Sequence, residues 1–370
     1  MTRFKVRRLL LSTLLAPLAA ATFAGAARAS ERSVAYTLTN AAAGNEVAVF
    51  VDQAHAPLSA VGRVATQGLG NGGGLGSQGA LVLSKNRRWL LAVNAGSNDV
   101  SVFRINEGAM PVFASRHPSG GQRPTSIAVH DDLVYVLNAG ETGNIAGFRL
   151  DHSGVLTPIA GAVRSLSGIA TAPAQVGFSG DGETLVVSER ATNLLSLYDV
   201  NDDGIASDPR SVPSAGQTPF GFAFDKRGHL LVSEAFGGTP NASTLSSYDL
   251  DDNAVKVISA KVPTNQSAAC WVAITPNGRY AYVTNTASGS VSGFRVARNG
   301  KLAPLNADGR TGVTGAGSAP IDAEVGRDGE MLYVLTSGAV SAFRVRGDGS
   351  LTTMAGAAGL PPSAVGLAVR

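Results

Sequence analysis

Along this chain, apolar and polar residues alternate over short runs, and the runs end in Gly, Asn, Asp or Pro rather than continuing with a helical period. The clearest stretch is Cys270 to Phe294, CWVAITPNGRYAYVTNTASGSVSGF. An apolar run leads into Thr275, Pro276, Asn277 and Gly278 as turn chemistry. Tyr280, Tyr282 and Thr284 then alternate up to Asn285, and after a Gly/Ser turn a third run closes on Phe294. That reads as three short antiparallel strands, which alone cannot bury both faces and therefore need copies of themselves.

The copies are present. The residue ending the second run recurs as Asn40, Asn94, Asn138, Glu189, Glu234, Asn285 and Thr336, and the aromatic closing the third as Phe50, Phe103, Phe148, Tyr198, Tyr248, Phe294 and Phe343. A spacing of about 50 residues is that of a four-stranded propeller blade, so the pattern predicts an all-β, seven-bladed β-propeller of antiparallel blades. Turns at Asp151 to Gly154, Asp202 to Gly204, Arg298 to Gly300 and Gly347 to Gly349 introduce the outer, fourth strands, while Pro124, Pro173, Pro219 and Pro320 open innermost strands. Blade 1 has no opening strand before Val34, whereas Pro362 to Val369 has that pattern and no blade after it. The C-terminal strand is therefore expected to pair into blade 1 and close the ring, removing exposed edges.

Residues 1–29 stand apart as a signal peptide. Arg3, Lys5, Arg7 and Arg8 precede an apolar segment, Leu9 to Phe23, and Ala27 and Ala29 give a small-x-small cleavage pattern before Ser30. The remainder, 30–370, is expected to be one domain, periplasmic or secreted, with no membrane attachment after cleavage; the general and twin-arginine export routes both stay open. The leader also carries the basic excess. The whole chain has 30 Lys+Arg and 27 Asp+Glu; removing five basic and no acidic residues leaves 25 against 27, or −2. A nucleic-acid partner is not expected on that balance. Cys270 is the only cysteine, which excludes an intramolecular disulfide and cysteine-based metal sites.

Two local patterns resemble known motifs and fail their context. Gly68 to Gly79, GLGNGGGLGSQG, contains a formal G-x-G-x-x-G, but a strand-like run follows it instead of a helix, so it reads as a flexible inter-blade loop. Asp199, Asn201, Asp203 and Gly204 begin like a calcium loop, yet the twelfth position is Arg210 and the segment coincides with an outer turn. No cofactor is implied; Ca²⁺ would suit the available oxygen ligands, but no spacing demands it.

Chemistry in a propeller is expected where inner-strand ends and connecting loops meet at a channel mouth. The five histidines fall in hairpins, outer turns or connecting segments. The repeat breaks most clearly where Asn gives way to Glu189 and Glu234 on neighbouring blades, with Arg190 beside the first: a base, or an anion or cation holder, on one reading, and an internal Arg–Glu pair with turn-capping on the other. Arg123 at the start of blade 3, Asp322 and Glu324 on the inner strand of blade 7, and Trp271 are further ligand-binding candidates.

NGRYAYVTN at Asn277 to Asn285 resembles the YVTN-type propeller repeat. With GSQGALVLS (Gly76 to Ser84), AVNAGSNDVSVF (Ala92 to Phe103) and TPFGFAF (Thr218 to Phe224), the chain from Val34 to Val369 resembles an exported bacterial branch of the seven-bladed lactonase-like propellers, a group that includes 6-phosphogluconolactonases and the fungal carboxymuconate-lactonising enzyme. The resemblance implies a catalytic His, Arg, Glu and Arg on successive inner-strand and second-strand positions; the corresponding places here hold Ala174 or Gln175, Phe220, Ala235 beside Glu234, and Thr286. Two functions follow as expectations. One is a hydrolase of a non-phosphorylated lactone, with Glu189 or Glu234 as base and Arg190 holding the oxyanion. The other is a monomeric, non-catalytic propeller binding a small polar ligand or a protein at its mouth.

Overall fold

The computed structural model describes Met1 and residues 33–52, 57–251 and 254–370. The rest of the expected signal peptide, together with His55, lies outside the described residues. Seven antiparallel sheets follow one another, each with its first strand innermost. The exception is blade 1, whose innermost strand is the C-terminal Val365–Val369, paired with Ser33–Leu38 so that Ala35 faces Val369 and Leu38 faces Val365. The expected ring closure is thus what the chain forms. Blade 6 carries one addition, because a turn at Asn306–Gly309 splits its outer edge into Leu302–Pro304 and Gly312–Val313, both on Ser290–Val296.

Packing between blades explains the repeat. The alternating side chains of the second strands point into the spaces between adjacent sheets, where Tyr36, Tyr135, Tyr282 and Tyr333 are fully buried. Burying rings of this size contributes on the order of 2 kcal/mol each, provided the hydroxyl finds a partner. It does so on the next blade: Tyr36 donates to the Ala109 carbonyl (3.0 Å), Tyr135 to Gly204 (2.8 Å), Tyr282 to Gly349 (2.9 Å) and Tyr333 to the Asp52 carboxylate (2.9 Å). At Gly349 the outer turn needs φ +88°, and a Cβ there would meet the Tyr280 ring at 2.5 Å, which is why that turn carries glycine.

A second regularity sets the channel mouth. A residue one to three positions before the innermost strand has positive φ in six blades: Gly79, Arg123, Ala172, Thr218, Ala268 and Ala319. The left-handed residue swings the chain from the connecting loop down into the channel wall, at a cost of roughly 1 kcal/mol for each non-glycine. Two are held from the preceding blade, since Asn98 Oδ1 accepts the Arg123 N–H and Asn193 Oδ1 the Thr218 N–H, both at 2.7 Å. No described helix is long and apolar enough to cross a membrane.

Candidate functional site

The column that ends the second strands lies at the upper mouth, and apart from Asn40, which reaches residues 71 and 73, its side chains turn back toward their own blades. Asn94 donates to Asp99 (2.6 Å) and Ser101 (2.8 Å), and Asn285 to Ser290 (3.2 Å) and Ser292 (2.9 Å). Glu189 occupies the same place and is fully buried. Its oxygens accept from the Ser167 N–H (3.1 Å), Thr192 (3.0 Å), Ser196 (2.7 Å) and the Ser167 hydroxyl. Glu234, also fully buried, accepts from the Gly216 N–H (3.0 Å) and the Thr244 hydroxyl. Burial raises the Glu234 carboxyl above its usual range, against the hydrogen bonds that favour its anion.

Arg190 does not close the internal pair that the sequence allowed. Its Nε donates to the Ala172 carbonyl at 3.0 Å, and its guanidinium lies over the Phe220 ring, 4.8 Å from the centroid. Among the described residues neither Arg190 nor Arg123 has a carboxylate within salt-bridge distance. Burial lowers the Arg190 pKa, and the positive charge of Arg123 lowers it further against the opposing influence of Cys270. Arg123 is thus within electrostatic reach of Arg190, while Glu189 and Glu234 stay inside their blades.

Beneath the guanidinium lies an apolar floor. Ala174, Phe220, Ala235, Cys270 and Trp271 form one buried cluster, with the Phe220 and Trp271 ring centroids 5.1 Å apart. Three of the positions where the family resemblance implies catalytic side chains, at Ala174, Phe220 and Ala235, are in this floor. Cys270, its thiol pushed up to about 12 by burial, is packed rather than poised for reaction. Trp271 is 4% exposed and spends its indole N–H on the Ser77 carbonyl at 3.0 Å.

That last bond reveals what the sequence reading missed. The glycine-rich linker is an ordered strap across the channel, not a flexible loop. Asn40 holds it at Asn71 (2.7 Å) in blade 1, and Ser77 donates to Thr125 of blade 3 (2.7 Å). Gln78 then reaches blades 4 and 6. Its N–H donates to the Ala174 carbonyl (3.1 Å), and its side-chain amide pairs with both the N–H (3.3 Å) and the carbonyl (3.0 Å) of Val272. The available signal was the break in the glycine run, where Leu75, Ser77 and Gln78 supply an anchor and polar arms.

Below the strap the channel widens into a chamber of about 630 Å³ lined by innermost strands. Asp322 and Glu324 belong here and not to the Arg190 mouth. Each accepts an N–H from the inner edge of the closing strand, Asp322 from Leu367 (3.0 Å) and Glu324 from Val369 (3.2 Å). Burial holds Asp322 well above the carboxylate range and pushes Glu324 up to about 8, the latter partly offset by Arg87.

The family model for the seven-bladed lactonase β-propeller matches residues 26–170, 163–235 and 234–358. The chain belongs to that lactonase family. Solved structures share this lactonase-family fold at low identity. A protein described as a putative 6-phosphogluconolactonase from Bacteroides fragilis aligns with a TM-score of 0.72 at 17% identity, over 91% of this chain and 98% of that one. A Lactobacillus plantarum protein gives 0.73 at 16% identity over 92% and 99%. The periplasmic gluconolactonase of Pseudomonas aeruginosa gives 0.68 at 15% identity over 91% and 98%.

Proposed function

We propose that this lactonase-family propeller is an exported protein that binds a small hydroxycarboxylate, or the lactone to which it closes, at the upper mouth, with Arg190 as the anchor. One observation carries the reading: the Arg190 guanidinium lies over an apolar floor, within electrostatic reach of Arg123, and neither has a carboxylate in salt-bridge distance among the described residues. A half-buried guanidinium with an exposed like charge nearby favours an incoming anion, and a planar guanidinium held by its Nε presents its remaining N–H groups as a fork for a carboxylate or a polarised lactone carbonyl. The Phe220 and Trp271 floor suits the less polar face of a sugar-like ring. The leader pattern before Ser30 and the periplasmic gluconolactonase among similar folds support export and a non-phosphorylated ligand.

Hydrolysis is the second reading, favoured by family membership and by the raised Glu234 carboxyl, whose ionised form would serve as base while Arg190 holds the oxyanion. Calorimetric titration with gluconate and a lactone hydrolysis panel decide between them. Binding reduced at least tenfold in Arg190→Ala, with no turnover above that of a Glu189→Gln, Glu234→Gln double variant, is the expected result. Wild-type affinity in Arg190→Ala would reject the mouth as the site. Turnover that the double variant abolishes would establish the hydrolase instead.

A further inference from the structure

We infer that the chamber below the strap is a second ligand site, separate from the Arg190 mouth, and that it takes an amphiphilic carboxylate: a ring or short apolar body with one anionic group. The inference does not rest on the function proposed for the upper mouth, because the strap divides the two spaces.

The first argument is closure. Gln78 spans the axis, and Gln175 pairs its side-chain amide with both the N–H (2.7 Å) and the carbonyl (2.9 Å) of Phe222. These two amides, with Asp322 and Glu324, satisfy inner-edge peptide groups of blades 5, 6 and 1. An added strand therefore has few free edge groups to pair with, and recognition in the chamber falls to side chains.

The second argument is how those side chains are distributed. Blades 4 to 6 contribute Phe178, Phe224 and Ile274 to the lining, all only partly buried, so apolar surface faces the cavity. Blades 7 and 2 contribute Glu324, Arg87 and Lys85. The acidic and basic side chains thus gather on blades 7 and 2, while apolar side chains line the wall elsewhere and alongside them, a mixture an amphiphile matches.

The third argument is the sign of the charge. Glu324 favours its neutral acid at pH 7 because burial raises it to about 8, and Asp322 is held still more strongly in the acid form. Arg87 and exposed Lys85 supply the basic side chains of the wall, and Asp131 and Asp181, beside His130, do not line the chamber. This part of the wall is net positive and presents a carboxyl that can donate, which favours an anionic head over an amine.

The test is calorimetric titration of the purified protein at pH 7 with cyclohexanecarboxylate, cinnamate and 1-naphthoate, and with cyclohexylamine as the opposite charge. At least one carboxylate is expected to bind with affinity reduced tenfold or more by Lys85→Glu and by the chamber-filling Ala223→Trp, and still to bind the Arg190→Ala protein, whose mouth is disabled. Lys85 is exposed, so the charge variant decides the matter even where the tryptophan disturbs folding. Three results would overturn the inference: no saturable binding of any carboxylate, binding of the amine alone, or a loss confined to Arg190→Ala, which would place the ligand at the upper mouth.

Discussion

Replacing Glu324 by glutamine should stabilise the propeller in a pH-dependent way. The folded carboxyl titrates at about 8 against an ordinary value of 4.5. Between those values the unfolded chain releases a proton that the folded chain keeps, so the folded state binds more protons and stability falls as pH rises, levelling off above about 8. At 1.36 kcal/mol per pH unit the whole window corresponds to a ceiling of about 5 kcal/mol. Water in the open chamber screens the charge, and about 2 kcal/mol is the expected size. Glutamine keeps an oxygen for the Val369 N–H (3.2 Å in the native protein) and cannot ionise. Urea unfolding of both proteins at pH 5, 6, 7, 8 and 9 reads the difference directly; Asp322 is present in both and largely cancels. The variant should gain on the wild type from pH 5 to 8 and hold that gain at 9. A difference independent of pH would refute the reasoning. A variant that falls behind as pH rises would show instead that ionised Glu324 is stabilised by Arg87.

Two further substitutions test the strap and the second-strand column. In Gly70→Ala the new Cβ would lie 2.1 Å from the Asn40 carbonyl carbon, a backbone atom that cannot rotate away, so a loss of about 3 kcal/mol and faster hydrogen exchange across 68–79 are expected; a loss below about 1 kcal/mol would mean that the strap relaxes freely. Glu189→Ala leaves the Ser167 N–H and the hydroxyls of Thr192 and Ser196 without their acceptor and should cost about 3 kcal/mol in urea unfolding, with Glu189→Gln costing roughly a third of that; an alanine variant as stable as the wild type would remove the structural role assigned to this carboxylate.

The ring was legible because its signals are local and repeated. Tyr282 and Asn285 do in blade 6 what Tyr135 and Asn138 do in blade 3, and the unpartnered pattern at Pro362 to Val369 was enough to expect the closing strand. The mouth was not, for three physical reasons. Its decisive pairing joins Gln78 to Val272, 194 positions apart, and an amide that copies a β-ladder leaves no periodic trace. A residue before proline ordinarily favours extended backbone. Arg123 (φ 55), Ala172 (φ 48), Thr218 (φ 56) and Ala319 (φ 45) are instead left-handed before theirs, held by contacts such as that of Asn98 with Arg123. Finally, the repeat placed Glu189 and Glu234 in the asparagine column and left both a chemical and a turn-capping reading open, and only burial and partners show the two carboxylates tied to loops of their own blades.

Most of the polar side chains in this channel answer to a demand of the architecture itself. An innermost strand exposes one edge of N–H and carbonyl groups to the channel, and leaving such groups unpaired away from water costs about 1 to 3 kcal/mol each. Gln175 and Gln78 meet that demand for Phe222 and Val272, and Asp322 and Glu324 meet it for Leu367 and Val369. A polar residue that the fold already needs is poor evidence for chemistry, however suggestive its type. The residues on which the functional proposals rest are those the ring could do without: the terminal guanidinium nitrogens of Arg190 above Phe220, Arg123 within electrostatic reach of it, and Lys85 lining the chamber. All three are basic residues, and on the two proposals above each end of the channel offers a positive charge to an anionic group.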